Sequence, residues 1–540
     1  MCALLVAPTA RNASMAISDH VLTLLAIGAI LVGVITAIVV VKNIYFHPFS
    51  QVPGPALGKV TNMYSAYHSW RGSMHIDIQK CHQRYGDVIR YGPNQILTLN
   101  HADMISIYGH GKPFRKSKGY KTMIPIPDGW STMTSIDKDL HRNLRRVFRS
   151  GVSSECLARH EPAILRNLKV YFSQLIRNID SAGWSEGSDM RKWNLYLGFD
   201  TMADFGLGLK TDLLRSPARN YVFPALHIHE KKMGLLEQLP ILDDIGIGAF
   251  ISGLLLLISP EARLFHTWYQ TFLEQAIRNN SGKDRGIFSP VIQSGEGLLD
   301  NPGHNYSQMI GEGAFSTFSS ADGYGMMLSG FLHYLGHYPH VYQKLATVLR
   351  SKYQPDEDIA WSPKLESIAY LRAVIDEVMR LLPPACGVHW RECERSGVTI
   401  GDTQVHLPVG SDVGMSLFSL FRDERIFRDP VVFWPERWIP GTLPKGEYNM
   451  ARQMFTPFLI GPRNCAGGHV AIMIASIAYA YVLVNYDIQL APDQRQPSIK
   501  LEPLDRGQPG VDAELRFESH YSIAGWSSGP FIQFKKRARP

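Results

Sequence analysis

The sequence predicts a mainly helical chain with small β-sheets, carried on one N-terminal transmembrane helix. Three observations lead there. An uncharged run of 21 residues, Val21 to Val41, lies near the start. Helical periodicity recurs through the remaining body. Strand-like pieces are short and confined to the neighbourhoods of Asp87–Thr98 and Gly397–Pro408.

At helical rise the first run spans about 31 Å, the thickness of a bilayer core. Asp19 and His20 precede it and Lys42 follows. A cleaved signal peptide would have a shorter apolar region ending at a small-residue site, so the run reads as a retained anchor. Arg11 before it and Lys42 after it leave the orientation open. The Pro48–Pro55 segment (PFSQVPGP) removes backbone donors and fixes dihedrals, and so forms a stiff linker. The expected organisation is a short tail (1–20), an anchor (21–41), a Pro-rich linker (42–60) and one large domain (61–540). No composition shift divides the last.

Within that domain, periodicity predicts helices over Ala163–Asn178, Gly311–Tyr338, Val341–Tyr353, Ile368–Leu382 and Ala466–Tyr486. Ile245–Ser259 is apolar for 15 residues, too short for a second span. It reads either as a buried core helix or as a lipid-facing patch.

The formal charge is +7, with 45% hydrophobic and 19% charged residues. Basic residues form no stripe, which argues against a nucleic-acid partner. Six scattered cysteines (Cys2, Cys81, Cys156, Cys386, Cys393, Cys465) contain no CxxC pair, which argues against a zinc ribbon or a disulfide framework.

One cysteine stands apart. Phe458-Leu-Ile-Gly461-Pro-Arg463-Asn-Cys465-Ala-Gly467 places a thiol in a Gly-rich loop that opens an apolar helical run. A thiolate there could bind a metal, and glycines let backbone approach a bulky planar group. An isolated cysteine is more often a buried structural thiol. Here the loop resembles the haem-ligand segment of the cytochrome P-450 family, Phe-x-x-Gly-x-Arg-x-Cys-x-Gly, at all five specified positions. Two further motifs follow the family's order. Glu377-Val-Met-Arg380 resembles its ExxR helix. Phe433-Trp-Pro-Glu-Arg437-Trp resembles its PERW segment, with Arg437 57 residues after Arg380 and 28 before Cys465.

The resemblance covers about residues 50 to 535 and looks most like microsomal members from filamentous fungi. It implies a triangular helical fold, with haem b between the helix carrying Asp322 and the one following Cys465. Cys465 would be the axial iron ligand, with Phe458, Gly461 and Gly467 shaping its loop. Glu377, Arg380 and Arg437 would form a buried triad behind the haem. Propionates need cations, and arginine binds carboxylates with a planar fork. Arg463, Arg391 and the pair His141/Arg145 occupy the matching positions, histidine standing where the family has tryptophan. The alternative for the last pair is a solvated basic face, since Arg142, Arg146 and Arg149 crowd nearby.

The oxygen-activation helix departs from the pattern. Counted back from Tyr338-Pro339, the acid is present as Asp322, but Gly323 replaces the threonine that helps deliver protons. Ser319 and Ser320 could supply a hydroxyl or hold a water. Gly323 and Gly325 inside one helix cost about 1 kcal/mol each against alanine and suggest a kink.

The resemblance further implies a haem-thiolate monooxygenase in the endoplasmic reticulum membrane, single-pass, with its catalytic domain in the cytosol. Electrons would come from NADPH-cytochrome P-450 reductase, or from a cytochrome b-type donor. The substrate would be a hydrophobic small molecule such as a terpenoid, polyketide or alkaloid intermediate, and membrane lipid would be a further partner. Gly323 keeps two alternatives in view: an atypical haem-thiolate reaction (rearrangement, ring expansion, desaturation or coupling) and a non-catalytic haem-binding member. Asn12, Asn279 and Asn305 each begin a glycosylation sequon, a weak pattern.

Overall fold

The apolar N-terminus folds as one long helix, α1 (Ala10–Val41), extended by a π-helical turn at Lys42–Phe46. This computed structural model describes residues 10–280, 283–293, 305–401, 404–492, 519–521, 525–527 and 529–538. The helix therefore starts before Val21 and ends after Val41. Residues 10–20 contain neither proline nor glycine to stop it. Leu22–Phe46 is long and apolar enough to cross a membrane, and none of it is buried against the rest of the protein.

The linker is fastened rather than loose. The Arg90 amide donates to Pro53 O (2.7 Å), and the fully buried Arg90 guanidinium reaches Asn43 O (2.7 Å) and Pro93 O (2.9 Å). A Cβ at Gly54 would stand 2.2 Å from Arg90 O, so this contact needs glycine.

The helices that frame the site are α2 (Lys138–Gly151), α3 (Met190–Leu207), α4 (Val222–Gln238), α5 (Ile247–Ile258), α6 (Pro260–Asn280), α7 (Tyr306–His337), α8 (Ala369–Leu381) and α9 (Gly468–Asn485). The helices expected from periodicity are present, with ends shifted by a few residues. Helix α7 is the axis of the core. Asn305 begins it with a capping box, its side chain accepting from the Gln308 amide while Gln308 reaches back. Helix α3 crosses α7 closely: a Cβ at Gly198 would lie 2.3 Å from Ala321 O, and one at Gly325 would press on Arg191 and Asn194. Helix α9 also qualifies as a span by length and apolarity, but it lies inside the fold. It is locked to α7 by Tyr479, which stacks on Phe331 (3.6 Å) and donates to Met327 O (2.6 Å).

Strands β1 (Val88–Gly92), β2 (Gln95–Thr98), β3 (Phe114–Lys116), β4 (Arg391–Cys393) and β5 (Asp412–Gly414) form one sheet in the order β1-β2-β5-β4-β3, in which only the β2–β5 pair is parallel. Val398–Ile400 and Val405–Leu407 make a separate hairpin in the second expected region. Ser188–Asp189, Phe531–Lys536 and Tyr486–Leu490 form a three-stranded sheet.

Of the two readings of Ile245–Ser259, exposure selects one. Phe250 (69%), Leu257 (77%) and Ile258 (65%) face outward, and Gly248 is the sole buried residue of α5. This is an apolar surface, not a core helix. The chain then turns by 108° into α6.

Candidate haem-thiolate site

The cysteine loop is shaped by its main chain. The Cys465 amide donates to Phe458 O (2.8 Å), closing the loop. Gly461 has φ +75°, and a Cβ there would stand 2.0 Å from Tyr108 O. Only glycine meets both conditions. The Phe458 ring packs against Gly468, where a Cβ would lie 2.9 Å from it. Cys465 lies deep in the molecule, yet its surface is accessible. Its thiol therefore lines an internal recess. Burial raises its pKa, partly offset by the Gly467 amide and Arg145.

A ring of cations surrounds the recess. Arg463 donates to Ser135 O (2.8 Å), Ile136 O (3.0 Å) and Asp137 O (3.2 Å), tying the cysteine loop to the segment before α2. Arg145 donates to Asn464 O (2.5 Å) and Oδ1 (2.7 Å), beside the cysteine. Arg391, on β4, donates to His389 O and Trp390 O and lies over the Tyr108 ring. Arg142, Arg146 and Arg149 are exposed. Helix α2 thus has two sides: His141 and Arg145 face in, and the other three arginines face solvent.

Sequence reasoning missed a fourth member, Lys116 on β3. It is 3% exposed, bonded to Met133 O, and carried on a strand too short to stand out in periodicity. Burial, then Arg391, Arg463 and Arg145, push its ammonium well below its usual pKa. Burial, then Arg463, Lys116, Arg145 and Arg391, drive His141 down to about 2. Glu312 on α7 is the acid set against this ring. It accepts from the Thr132 amide (2.6 Å), and burial pushes it up to about 7 against Lys116 and Arg145. Glu312 was also missed, because a single acid in a helix carries no motif.

These residues fit an iron porphyrin. Four basic side chains converge with one opposing acid, a complement to two propionates. The Arg145 Nε and Trp390 Nε1 donors are buried without a protein partner. A Cβ at Gly467 or Gly323 would meet nothing within 4 Å, so both backbones border open space, Gly467 two residues beyond the thiol and Gly323 on α7.

Behind the loop, Glu377, Arg380 and Arg437 are all fully buried. The Glu377 carboxylate accepts from Arg380 Nε (2.9 Å) and a second Arg380 nitrogen (2.8 Å), from Arg437 Nε (3.0 Å), from the Trp434 amide (2.9 Å) and from Trp438 Nε1 (2.9 Å). Burial alone would raise this carboxyl, but the two guanidiniums and these N–H groups outweigh it and hold it below its usual value. Trp438 then packs on Phe455 (4.6 Å), three residues before Phe458, which links the triad to the cysteine loop.

On α7, Ser319, Ser320 and Gly323 are partly accessible within an otherwise buried helix. Asp322 points elsewhere: its carboxylate pairs with Arg191 on α3, both buried. Helix α7 runs without a break through Gly323 and Gly325. Gly325 instead makes room for Arg191 and Asn194 on α3. Away from the recess, Cys156, His160 and Asp284 approach one another, but Asp284 is already paired with Arg159 and His160.

This geometry suits a haem-thiolate protein, and comparison with known proteins points the same way. The Cytochrome P450 family model matches residues 317–513. The monooxygenase atnE of Emericella nidulans is 29% identical over 95% of this chain and 97% of its own length. The monooxygenase apf7 of Gibberella fujikuroi is 28% identical over 93% and 96%. The monooxygenase poxM of Penicillium oxalicum is 29% identical over 93% and 92%. These matches support the cytochrome P450 family and a haem-thiolate monooxygenase for this chain.

Proposed function

We propose that this enzyme is anchored in the endoplasmic reticulum membrane by α1, with its catalytic domain in the cytosol. In this reading it oxidises a hydrophobic small molecule of fungal secondary metabolism with electrons from NADPH-cytochrome P-450 reductase. The observation that carries the reading is the accessible Cys465 thiol inside a ring of cations. Cys465 would hold the iron of haem b. Arg145, Arg391, Arg463 and Lys116 would hold the propionates, with His141 kept neutral as a donor. Glu377, Arg380 and Arg437 would fix the loop. When bound, haem supplies dioxygen activation, and a thiolate ligand favours O–O cleavage. The protein orients substrate beneath Phe318, Ser319 and Gly323, excludes bulk water and supplies protons from the α7 side. The test is the reduced carbon monoxide spectrum of the full chain, followed by product formation with NADPH and reductase. A Soret band without the thiolate red shift rejects the reading.

Gly323 supports a second reading, in which proton delivery is altered and the product is not a simple alcohol. Gly323→Thr distinguishes the two. A Cβ there meets nothing within 4 Å, so stability should stay within about 0.5 kcal/mol. With a simple hydroxylase, the peroxide share of consumed NADPH should fall several-fold. With an atypical catalyst, the product itself should change.

The exposed apolar face of α5 supports a second membrane contact. Deletion of residues 1–46 should leave a vesicle-binding protein. Adding Phe250→Asp and Leu257→Asp should weaken vesicle partition at least about a hundredfold, because each large apolar side chain contributes about 1.5–3 kcal/mol on burial. Flotation assays read this directly.

A further inference from the structure

We infer that Cys156, His160 and Asp284 form a metal site away from the cysteine loop, which takes a zinc ion and clamps the chain after α2 to the segment packed against the end of α3. The inference stands apart from the haem-thiolate reading.

Cys156 and His160 stand four residues apart on the short helix Ser154–His160 and so share a face. Asp284 reaches them from 124 residues beyond His160. One ligand atom of each lies within 4.8 Å of the other two. His160 Nε2 is 3.0 Å from Asp284 Oδ1. Nitrogen and oxygen ligands of a tetrahedral zinc stand about 3.3 Å apart, so this pair is already near that spacing. A sulfur and a nitrogen on the same ion stand about 3.5 Å apart, which leaves at most about 1.3 Å to close. Other contacts hold the backbone that carries these groups. Ser153 Oγ accepts from the Cys156 amide (3.4 Å), and Leu157 is buried. On the Asp284 side, the Ile287 amide donates to Phe205 O (3.1 Å) and the Phe288 amide to Gly206 O (3.0 Å). A Cβ at Gly151, at the end of α2, would stand 1.8 Å from Ile287 O. Both halves of the site are thus placed by α2 and α3 before an ion binds, which lowers the ordering cost of binding.

The charge around the three groups suits a divalent cation. Arg159 pairs with Glu155 (2.9 Å) and with Asp284 Oδ2, leaving Asp284 Oδ1 to face His160. Arg159 thereby orients the carboxylate through its other oxygen, as outer partners do at metal sites. With a Cys156 thiolate, three acidic groups face this one guanidinium, an excess of two negative charges that a divalent ion neutralises. Lys283 and Arg285 beside Asp284 are exposed, where solvent and salt screen them. Thiolate, imidazole and carboxylate together select Zn2+ over Mg2+ or Ca2+, which take oxygen ligands. Burial, then Arg159, hold His160 below its usual pKa, so its ring is neutral and free to ligate. Burial raises the Cys156 thiol, and Arg159 opposes that rise. Binding breaks the Cys156 S–H bond, forms an S–Zn bond and releases the proton to solvent; no electron moves. Cys156 is 8% exposed and the Asp284 side chain 37%, so the ion enters from the Asp284 side and keeps a water as its fourth ligand.

The test uses the full-length haem-loaded protein and its C156A, H160Q and D284N variants. Each is stripped with EDTA, equilibrated with Zn2+ and desalted, and zinc is then measured per haem. Wild type should retain about one zinc per haem at a site with three protein ligands. C156A and H160Q should retain none, and D284N should bind more weakly than wild type. Zinc-edge X-ray absorption, which the haem iron does not disturb, should show one sulfur at about 2.3 Å and nitrogen or oxygen at about 2.0 Å. Denaturant unfolding provides a further readout. Zn2+ at a hundredfold over its dissociation constant should lower the unfolding constant of wild type about a hundredfold and leave that of C156A unchanged. The thiolate carbon monoxide band should persist in all three variants. A wild type that retains no zinc overturns the inference. So does a zinc shell without sulfur, or zinc retained equally by wild type, C156A and H160Q, which would be an adventitious ion only. A missing thiolate carbon monoxide band in wild type with the zinc signature intact would instead reject the functional reading and leave the zinc site standing.

Discussion

Cys465→Ala should abolish the red-shifted carbon monoxide band and reduce product formation to background, while the apoprotein stays folded. The expectation follows from what shapes the loop. Its closure is a main-chain bond from the Cys465 amide to Phe458 O, and its bend is the left-handed backbone at Gly461. Neither uses the sulfur. Arg145 and Arg463 hold the loop by main-chain oxygens and by Asn464, again without the thiol. The substitution thus removes the single metal donor and little else. Circular dichroism of the variant should match the wild type, while tightly bound haem is lost or loses its thiolate signature. Cys156→Ala and Cys386→Ala are the controls. Those thiols are buried and belong to other segments of the chain, so the band should persist in both. A Cys465→Ala protein with unchanged colour and turnover would show that another group binds the iron.

Much of this arrangement could be read from the residues, and the failures have physical causes. A long apolar run, glycines around a cysteine and an acid–arginine pair one helical turn apart are local patterns, so they survive in one dimension. Helix ends shifted by a few residues because caps such as Asn305 lie outside the apolar period. Two glycines in α7 suggest a weak helix because propensity is a property of an isolated helix. The fold instead uses Gly325 to let α3 approach, and Gly198 answers it from the other side. Lys116, Glu312 and Arg191 could not be found in sequence. Each is an ordinary charged residue whose significance comes from burial beside charges far away in the chain. The apolar stretch at Ile245–Ser259 was ambiguous for the same reason: composition does not say whether a face is covered.

The fully buried triad yields the second large effect. Glu377→Ala should prevent stable folding or haem retention, with a loss of about 3–5 kcal/mol, because it strands two guanidiniums in the interior. Five N–H donors converge on this one carboxylate. The remaining guanidinium hydrogens are bound by main-chain oxygens, including Phe421 O and Asp429 O, and those oxygens cannot neutralise charge. Glu377→Gln keeps the shape but offers one acceptor oxygen where there were two, so it should be destabilised less than the alanine variant and still lose haem more readily than wild type. The pH dependence has a definite sign. The folded carboxyl sits below its usual value, so its contribution is present above the unfolded value and disappears as pH falls through the folded one. Wild type should therefore lose stability in acid more steeply than Glu377→Gln, which has no proton to take up. Arg437→Met separates charge from anchoring. It leaves Glu377 paired with Arg380 alone but removes the bonds to Asp429 O and Val432 O that hold the segment before Trp438. Because Trp438 packs on Phe455, the damage should reach the cysteine loop and appear as faster haem loss before global unfolding. Equal rates of haem loss in wild type and Arg437→Met would mean that the triad stabilises the fold without positioning the thiol.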